Sequence, residues 1–221
     1  MSSSSFHIGP IPALAPAAVV QALQHVVTPH ISDNLQRFSG ITGLTRFNPT
    51  RKLVGTAFTV KARPGDNLMI YKALMLMSPG HVLVVDGAGD SKNALVGELI
   101  MSYAQQRGCT GFVMDAAIRD TAAFHQADFP CFARAVTHRG PFKFGPGAIN
   151  VPVTVGGQVV MPGDILVGDE DGVICFPQDQ AAALLAAVER TAANEELIKA
   201  EIATGRLEQS WLDKVLQPHG L

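Results

Sequence analysis

The sequence predicts an α/β domain, and three observations carry that reading. Phe112-Val113-Met114 is a short, wholly apolar run of the kind shown by a parallel strand buried on both faces. His81 to Asp86 is a second such run, apolar at Val82, Leu83, Val84 and Val85. Gln178 to Gly205 is rich in Ala and Leu with charges on one face, the pattern of a long helix.

A chain of 221 residues is long enough for one sizeable core, and no linker divides it, so residues 1–221 are expected to form a single domain. Hydrophobic residues make up 47% and charged residues only 16%, which suggests that part of the surface is hidden in an oligomer. The net charge is −2 and no Lys/Arg cluster occurs, which argues against nucleic acid as the main partner. The three cysteines, Cys109, Cys131 and Cys175, lack C-x-x-C spacing and read as buried free thiols in a reducing compartment. The seven histidines show no zinc-ligand spacing, and there is no G-x-S-x-G elbow for a serine hydrolase. The N-terminus has no basic region, and its apolar stretch is broken by Pro10, Pro12 and Pro16. Neither a signal peptide nor a membrane span is expected, and the protein should be cytoplasmic.

The elements follow in order. Residues 1–10 read as a flexible arm. Ala13 to Val27 has a helical Ala/Val/Leu pattern, and Thr28-Pro29 opens a short second helix. Val54 to Val60 is β-branched and alternating, hence a strand. Pro64-Gly65-Asp66 makes a turn, with Asp66 placed to cap a helix from Asn67 to Met77 whose Met69, Met75 and Met77 fill core. Pro79-Gly80 turns the chain into the His81 strand. Asp86-Gly87-Ala88-Gly89-Asp90 then reads as a loop; it lacks G-x-G-x-x-G spacing, and its carboxylates would repel a pyrophosphate. Asn93 to Arg107 is helical, ended by Gly108. Cys131 to Val136 is a strand and Pro141 to Pro146 is irregular. Val151 to Val155, Gln158 to Met161, Asp164 to Val167 and Val173 to Phe176 are short strands separated by tight-turn residues. Residues 178–221 form the long helix and a tail in which Trp211 and Leu212 could anchor on a neighbouring subunit.

Arg119 and Asp120 stand where the Phe112 strand runs out, and ligands in open α/β sheets gather at the carboxyl ends of strands. Arg119 presents a planar fork for a carboxylate or enolate, and Asp120 an oxygen ligand for Mg²⁺ or Mn²⁺. Glu98 heads the helix that leads to this strand, so the three can meet at one end of the sheet. The alternative is a surface Arg–Asp pair that contributes little. Gly97 is equally open. It is either a packing glycine inside a longer helix, or the helix begins there and free N–H groups form a small anion site suited to a carboxylate.

With those residues in view the chain resembles the RraA-like family, which includes class II 4-hydroxy-4-methyl-2-oxoglutarate aldolases and regulators of ribonuclease E activity. The resemblance runs from about Val19 to Gly205. It is carried by Gly55-Thr56-Ala57, Pro64-Gly65-Asp66, Val84 to Asp90, Gly97-Glu98-Leu99, Ile118-Arg119-Asp120, Asn150-Val151-Pro152, Pro162-Gly163-Asp164 and Gly168 to Gly172. The family's aldolases show an acidic residue, twenty intervening residues, then Arg-Asp; Glu98 and Arg119-Asp120 match, with Glu where Asp is commoner. The resemblance implies a swivelling β/β/α fold and a homotrimer or dimer of trimers with sites between subunits. It also implies a divalent metal ligated by Asp120, with Glu98 holding metal-bound water. Leu99 and Ile100 amides beside Gly97 would bind the carboxylate of a small 2-keto acid, and Arg119 would contact the substrate and steady an enolate. Glu195 or Glu196 of a neighbour would help. Where some active members carry an acidic residue three positions after the Asp, this chain has Ala123. The implied activity is metal-dependent retro-aldol cleavage to pyruvate, with oxaloacetate decarboxylation on the same electron sink. The alternative within the family is a non-catalytic trimer that binds an RNA-degradation enzyme.

Overall fold

The computed structural model describes residues 6–206 and 209–220. The chain begins with strand β1 (Phe6–Ile8), helices α1 (Ala17–Leu23) and α2 (Thr28–Asn34), and strands β2 (Thr45–Arg46) and β3 (Leu53–Ala62). Helix α3 (Leu68–Leu76), strand β4 (His81–Val96), helix α4 (Glu98–Gln106), strand β5 (Gly111–Ile118), helix α5 (Thr121–Gln126) and strand β6 (Cys131–Val136) follow. Strands β7 (Gly147–Ile149), β8 (Val153–Val155), β9 (Gln158–Val160), β10 (Ile165–Asp169) and β11 (Gly172–Phe176) lead to helices α6 (Ala181–Ala203) and α7 (Ser210–Leu216).

The centre is a parallel set in the order β3-β4-β5-β6, extended at one edge by β7 and β1 and at the other by β2. Every residue of β5 is buried, as expected of a strand covered on both faces. Helices α3, α4 and α5 cover one face, where Phe58, Leu83, Phe112 and Met114 meet Ile70, Leu74, Ile100 and Phe124. The β8–β9 hairpin contributes Val153, Val155 and Val160 to the other face, against Val82, Val84 and Val113. A third apolar cluster joins α1, α2 and α6 to β10 and β11. This is the mixed α/β domain with N-terminal helices and a long C-terminal helix that the sequence predicts. The hairpins of the second half also fall where the turn residues put them.

Several local expectations are corrected. Residues 6–8 are not part of a flexible arm: β1 pairs with β7 in parallel register, and the Gly9 N–H donates to Ile149 O at 2.8 Å. Residues 1–5 lie outside the described residues. The first helix starts at Ala17 rather than Ala13, because Pro16 is its N-cap and the Ala15 N–H is drawn to Thr56 Oγ1 at 2.9 Å. The Gly87–Asp90 loop and residues 93–96, expected as helix, are extended parts of β4, whose pairing with β5 shifts register between Asp86 and Val96. Strands β2 and β7 and helix α5 were not foreseen. Met69 and Met77 are core, but Met75 is 58% exposed.

Charged groups fix the periphery. Asp169, 5% exposed, accepts the Thr28 N–H at 2.8 Å and the Thr28 hydroxyl at 2.5 Å, which ties the start of α2 to the end of β10. Lys52 Nζ lies 3.6 Å from the same carboxylate. Burial lowers the Lys52 pKa, and Asp169 works against that shift. The three cysteines are free and buried, and burial pushes the Cys109 thiol up to about 11. Among the described residues no helix is long and apolar enough to cross a membrane.

Candidate active site

The candidate residues converge where β4 and β5 end. The Arg119 N–H donates to Val96 O at 3.0 Å, binding the two strand ends together. Gly97 follows in an extended conformation, φ −156° and ψ −163°, and α4 begins at Glu98. The question left open by the sequence is thus decided: the helix starts at this glycine. Its backbone is one that any residue adopts, so the requirement for glycine is space. A Cβ here would overlap Asp120 Oδ2 and lie 2.9 Å from Arg119 Cγ.

The first free N–H of α4 is taken by the acid: Glu98 N donates to Asp120 Oδ2 at 3.0 Å. Asp120 itself sits in the left-handed region, φ 57° and ψ 40°, as the residue before α5. Such a conformation costs a non-glycine residue on the order of 1 kcal/mol or more and clusters at functional sites. It does not serve to cap α5, because the carboxylate makes no capping bond there. The Arg119 Nε to Asp120 Oδ2 distance is 3.6 Å with both side chains more than 40% exposed, so this pair alone is worth about 1 kcal/mol at most. The strained turn and the helix-start bond, not the ion pair, set the geometry.

The next two amides of α4, Leu99 N and Ile100 N, have no acceptor among the described residues. Their natural helical acceptors are engaged elsewhere: Leu95 O accepts Asn67 Nδ2 at 2.8 Å, and Val96 O accepts Arg119 N. Leu99 and Ile100 line a small cavity of about 50 Å³ together with Gly97 and Arg119. Two free amides at the positive end of a helix beside a guanidinium suit a carboxylate. The lining also includes residues the sequence reading missed, namely Asn67 and Tyr71 of the α3 region and Lys143. The Oδ1 of Asn67 is buried without a hydrogen-bond partner. Arg119 reaches toward the loop after β6: a Cβ on Gly140 would be 3.4 Å from Nη1. That loop is pinned to β4 by Ala94 N donating to Arg139 O at 2.8 Å and Asn93 Nδ2 donating to Gly140 O at 2.7 Å.

A protein-family model described as RraA-like, Aldolase/RraA, matches residues 28–175. The chain belongs to the Aldolase/RraA family. A Halalkalibacterium halodurans protein, provisionally named a 4-hydroxy-4-methyl-2-oxoglutarate aldolase, is 36% identical over 195 residues, 87% of this chain and 93% of its own. A 4-hydroxy-4-methyl-2-oxoglutarate aldolase of Thermus thermophilus is 36% identical over 113 residues, covering 51% of this chain and 69% of that one. The solved structure of a Thermus RNA-processing inhibitor, RraA, superposes with TM-score 0.64 at 30% identity, over 69% of this chain and 93% of that one.

Within this Aldolase/RraA chain the expected residues divide into two groups. Gly97, Leu99, Ile100 and Arg119 line the cavity; Glu98 and Asp120 are exposed at its edge, joined through the Glu98 backbone rather than its side chain. Glu195 and Glu196 lie far along α6. Glu195 pairs with His30 of α2 at 2.9 Å, and that hydrogen bond holds its carboxyl below the usual range. Glu196 pairs with Lys199 at 2.9 Å. Ala123, on α5, is partly buried and packs against the core.

Proposed function

We propose that the protein is a carbon–carbon lyase that cleaves 4-hydroxy-2-keto acids such as 4-hydroxy-4-methyl-2-oxoglutarate to pyruvate, with oxaloacetate decarboxylation as a side reaction. The observation that supports this reading is that Arg119, Leu99 and Ile100 line one cavity, the last two at the start of a helix where their amides have no acceptor among the described residues. The amides hold the 2-keto acid carboxylate, which brings the keto oxygen toward the Arg119 guanidinium. Glu98 at the rim accepts the proton of the C4 hydroxyl. The C3–C4 bond then breaks, its electron pair forms the enolate of pyruvate, and the C4 fragment leaves as a carbonyl compound. Arg119 stabilises the enolate oxygen, and C3 is reprotonated to give pyruvate. The same enolate forms when oxaloacetate loses carbon dioxide.

The donor set fits a hard divalent cation. Asp120 offers an exposed carboxylate whose Oδ2 accepts the Glu98 backbone N–H, and Glu98 carries a second exposed carboxylate. Mg²⁺ or Mn²⁺, which keep several waters and take one or two carboxylates, match that arrangement. Held by Asp120, such an ion would supply Lewis-acid polarisation of the keto group. The assembly we propose is a homotrimer or dimer of trimers. Exposed Leu197, Ile202, Trp211 and Val215 on the C-terminal helices offer an apolar face for a neighbouring copy.

A second reading, a non-catalytic regulator of an RNA-degradation enzyme, is favoured by the likeness to the Thermus RraA structure. Pyruvate release from 4-hydroxy-4-methyl-2-oxoglutarate and from oxaloacetate, with Mg²⁺ and then with EDTA, separates the two. Metal-dependent release supports the lyase. Turnover of neither substrate would leave the regulator in front.

A further inference from the structure

Asn93 lies in the second half of β4 and is half-buried. Its Nδ2 donates to Gly140 O at 2.7 Å, and beside it the Ala94 N–H donates to Arg139 O at 2.8 Å. These two bonds clamp the 139–140 backbone onto the strand. Ala94 of the strand and Pro141 of the loop, which flank the Asn93–Gly140 bond in sequence, both line the cavity with Arg119. The turn before α3 packs on the same side chain: a Cβ on Gly65 would lie 3.3 Å from Asn93 Cβ and Oδ1. Asp90 steadies the backbone here, its Oδ1 and Oδ2 accepting the Lys92 and Asn93 N–H groups at 3.3 Å. Asn93 is thus a fixed point from which the loop is held.

What the clamp holds is the backbone that meets the end of the Arg119 side chain. A Cβ on Gly140 would stand 3.4 Å from Arg119 Nη1. The guanidinium has little else to fix it, since its pair with Asp120 is a 3.6 Å approach through Nε at an exposed site. A long exposed side chain samples many rotamers unless neighbours exclude them. A donor to a developing oxyanion is effective only where it is held in advance at the position of the charge. The Gly140 backbone can exclude rotamers in this way while its carbonyl is bonded to Asn93. Nη1 then keeps its donors for a ligand.

We propose that Asn93 is a positioning residue for the reaction: through its bond to Gly140 it holds the 139–141 loop against β4 and so fixes the Arg119 guanidinium at the cavity. The proposal rests on the lyase reading for what Arg119 stabilises, but its test reads binding and not turnover. Oxalate, a planar dianion, stands in for the pyruvate enolate, and pyruvate itself for the ground state. Calorimetric binding of both in Mg²⁺ is measured for the unaltered protein, Asn93→Asp, Arg119→Ala and the double variant. Asn93→Asp keeps the size of the side chain and removes the donor to Gly140 O. We expect its oxalate affinity to fall about tenfold, the value of one charge-assisted hydrogen bond, and its pyruvate affinity to change less than about twofold. In the Arg119→Ala background the same substitution should cost nothing further, as for two groups that act as a unit. Gly140→Val, which leaves Asn93 in place and presses a branched side chain on Nη1, should reproduce the selective loss of oxalate and covers the case of an Asn93 variant that does not fold. Equal losses for oxalate and pyruvate, or an undiminished loss without Arg119, would make Asn93 a merely structural residue and overturn the proposal. So would unchanged oxalate binding, or none in the unaltered protein. Failure of the lyase reading looks different: the coupling between Asn93 and Arg119 stays while no pyruvate is released from any 4-hydroxy-2-keto acid.

Discussion

The backbone N–H of Glu98 donates to Asp120 Oδ2 at 3.0 Å, across a glycine with no room for a side chain. This bond places the start of one helix against the residue that opens the next, and so aligns the acid, the arginine and the free amides. We expect Gly97→Ala to push the Asp120 carboxylate and the Arg119 side chain aside, since both are side-chain groups able to move. Thermal unfolding should then change by only about 1 kcal/mol, whereas pyruvate release should fall on the order of 10²-fold, as misplacement of reacting groups does. Parallel loss of stability and activity would instead mean that Gly97 is a packing residue.

Asp169→Ala should be among the more damaging substitutions outside the site. It removes the acceptor for two groups of Thr28 and leaves Lys52, whose side chain is 15% exposed, without its counter-charge. Breaking one member of a buried pair costs about 3 kcal/mol. Denaturant unfolding measures the loss. Asp169→Asn should recover part of it, because the Thr28 contacts can be rebuilt.

The loop at residues 48–51 gives a pH dependence. Partial burial raises the Asp128 carboxyl, but bonds from the Thr50 hydroxyl, the Arg51 and Thr50 N–H groups and Asn48 Nδ2 outweigh it and hold the group well below the usual carboxylate range. A folded-state value below the unfolded one means that Asp128 contributes stability above the unfolded pKa and loses it as the pH falls. The melting-temperature gap between unaltered protein and Asp128→Asn should therefore be full at neutral pH and shrink below about pH 4. A gap independent of pH would show that the loop does not depend on this charge.

The parts that were legible in the sequence are those where one physical demand dominates. Buried parallel strands must be apolar on both faces, and the first half of β4 and β5 read that way directly, while β3 was legible as a β-branched, alternating run. The charges that end β5 stood out for the same reason. The second half of β4 was lost because register shifts carry polar Asp90, Ser91, Lys92 and Asn93 through an extended segment that looks like loop followed by helix. Leu95 sits at helical spacing with Leu99, but it fills core from a strand. Lys143 was illegible as a lining residue for another reason. It is brought to the site by Asp66, and the bond between a turn carboxylate and amides some eighty residues later has no periodic signature. Pro64-Gly65-Asp66 announced a turn and a helix start, not a tie to a distant loop.

The central claim is that Arg119 and the α4 amides stabilise a pyruvate enolate, and it can be tested without knowing the physiological substrate. An enzyme that forms this enolate exchanges the methyl protons of pyruvate with deuterium oxide, followed by the decay of the methyl signal in proton NMR. We expect exchange in Mg²⁺ to be catalysed by the unaltered protein, abolished by EDTA, and reduced about 10²- to 10³-fold in Arg119→Ala, the range for loss of one oxyanion-stabilising donor. Arg119→Ala should fold normally, since its side chain is 43% exposed. Exchange no faster than in buffer, or equal in the two proteins, would contradict the account.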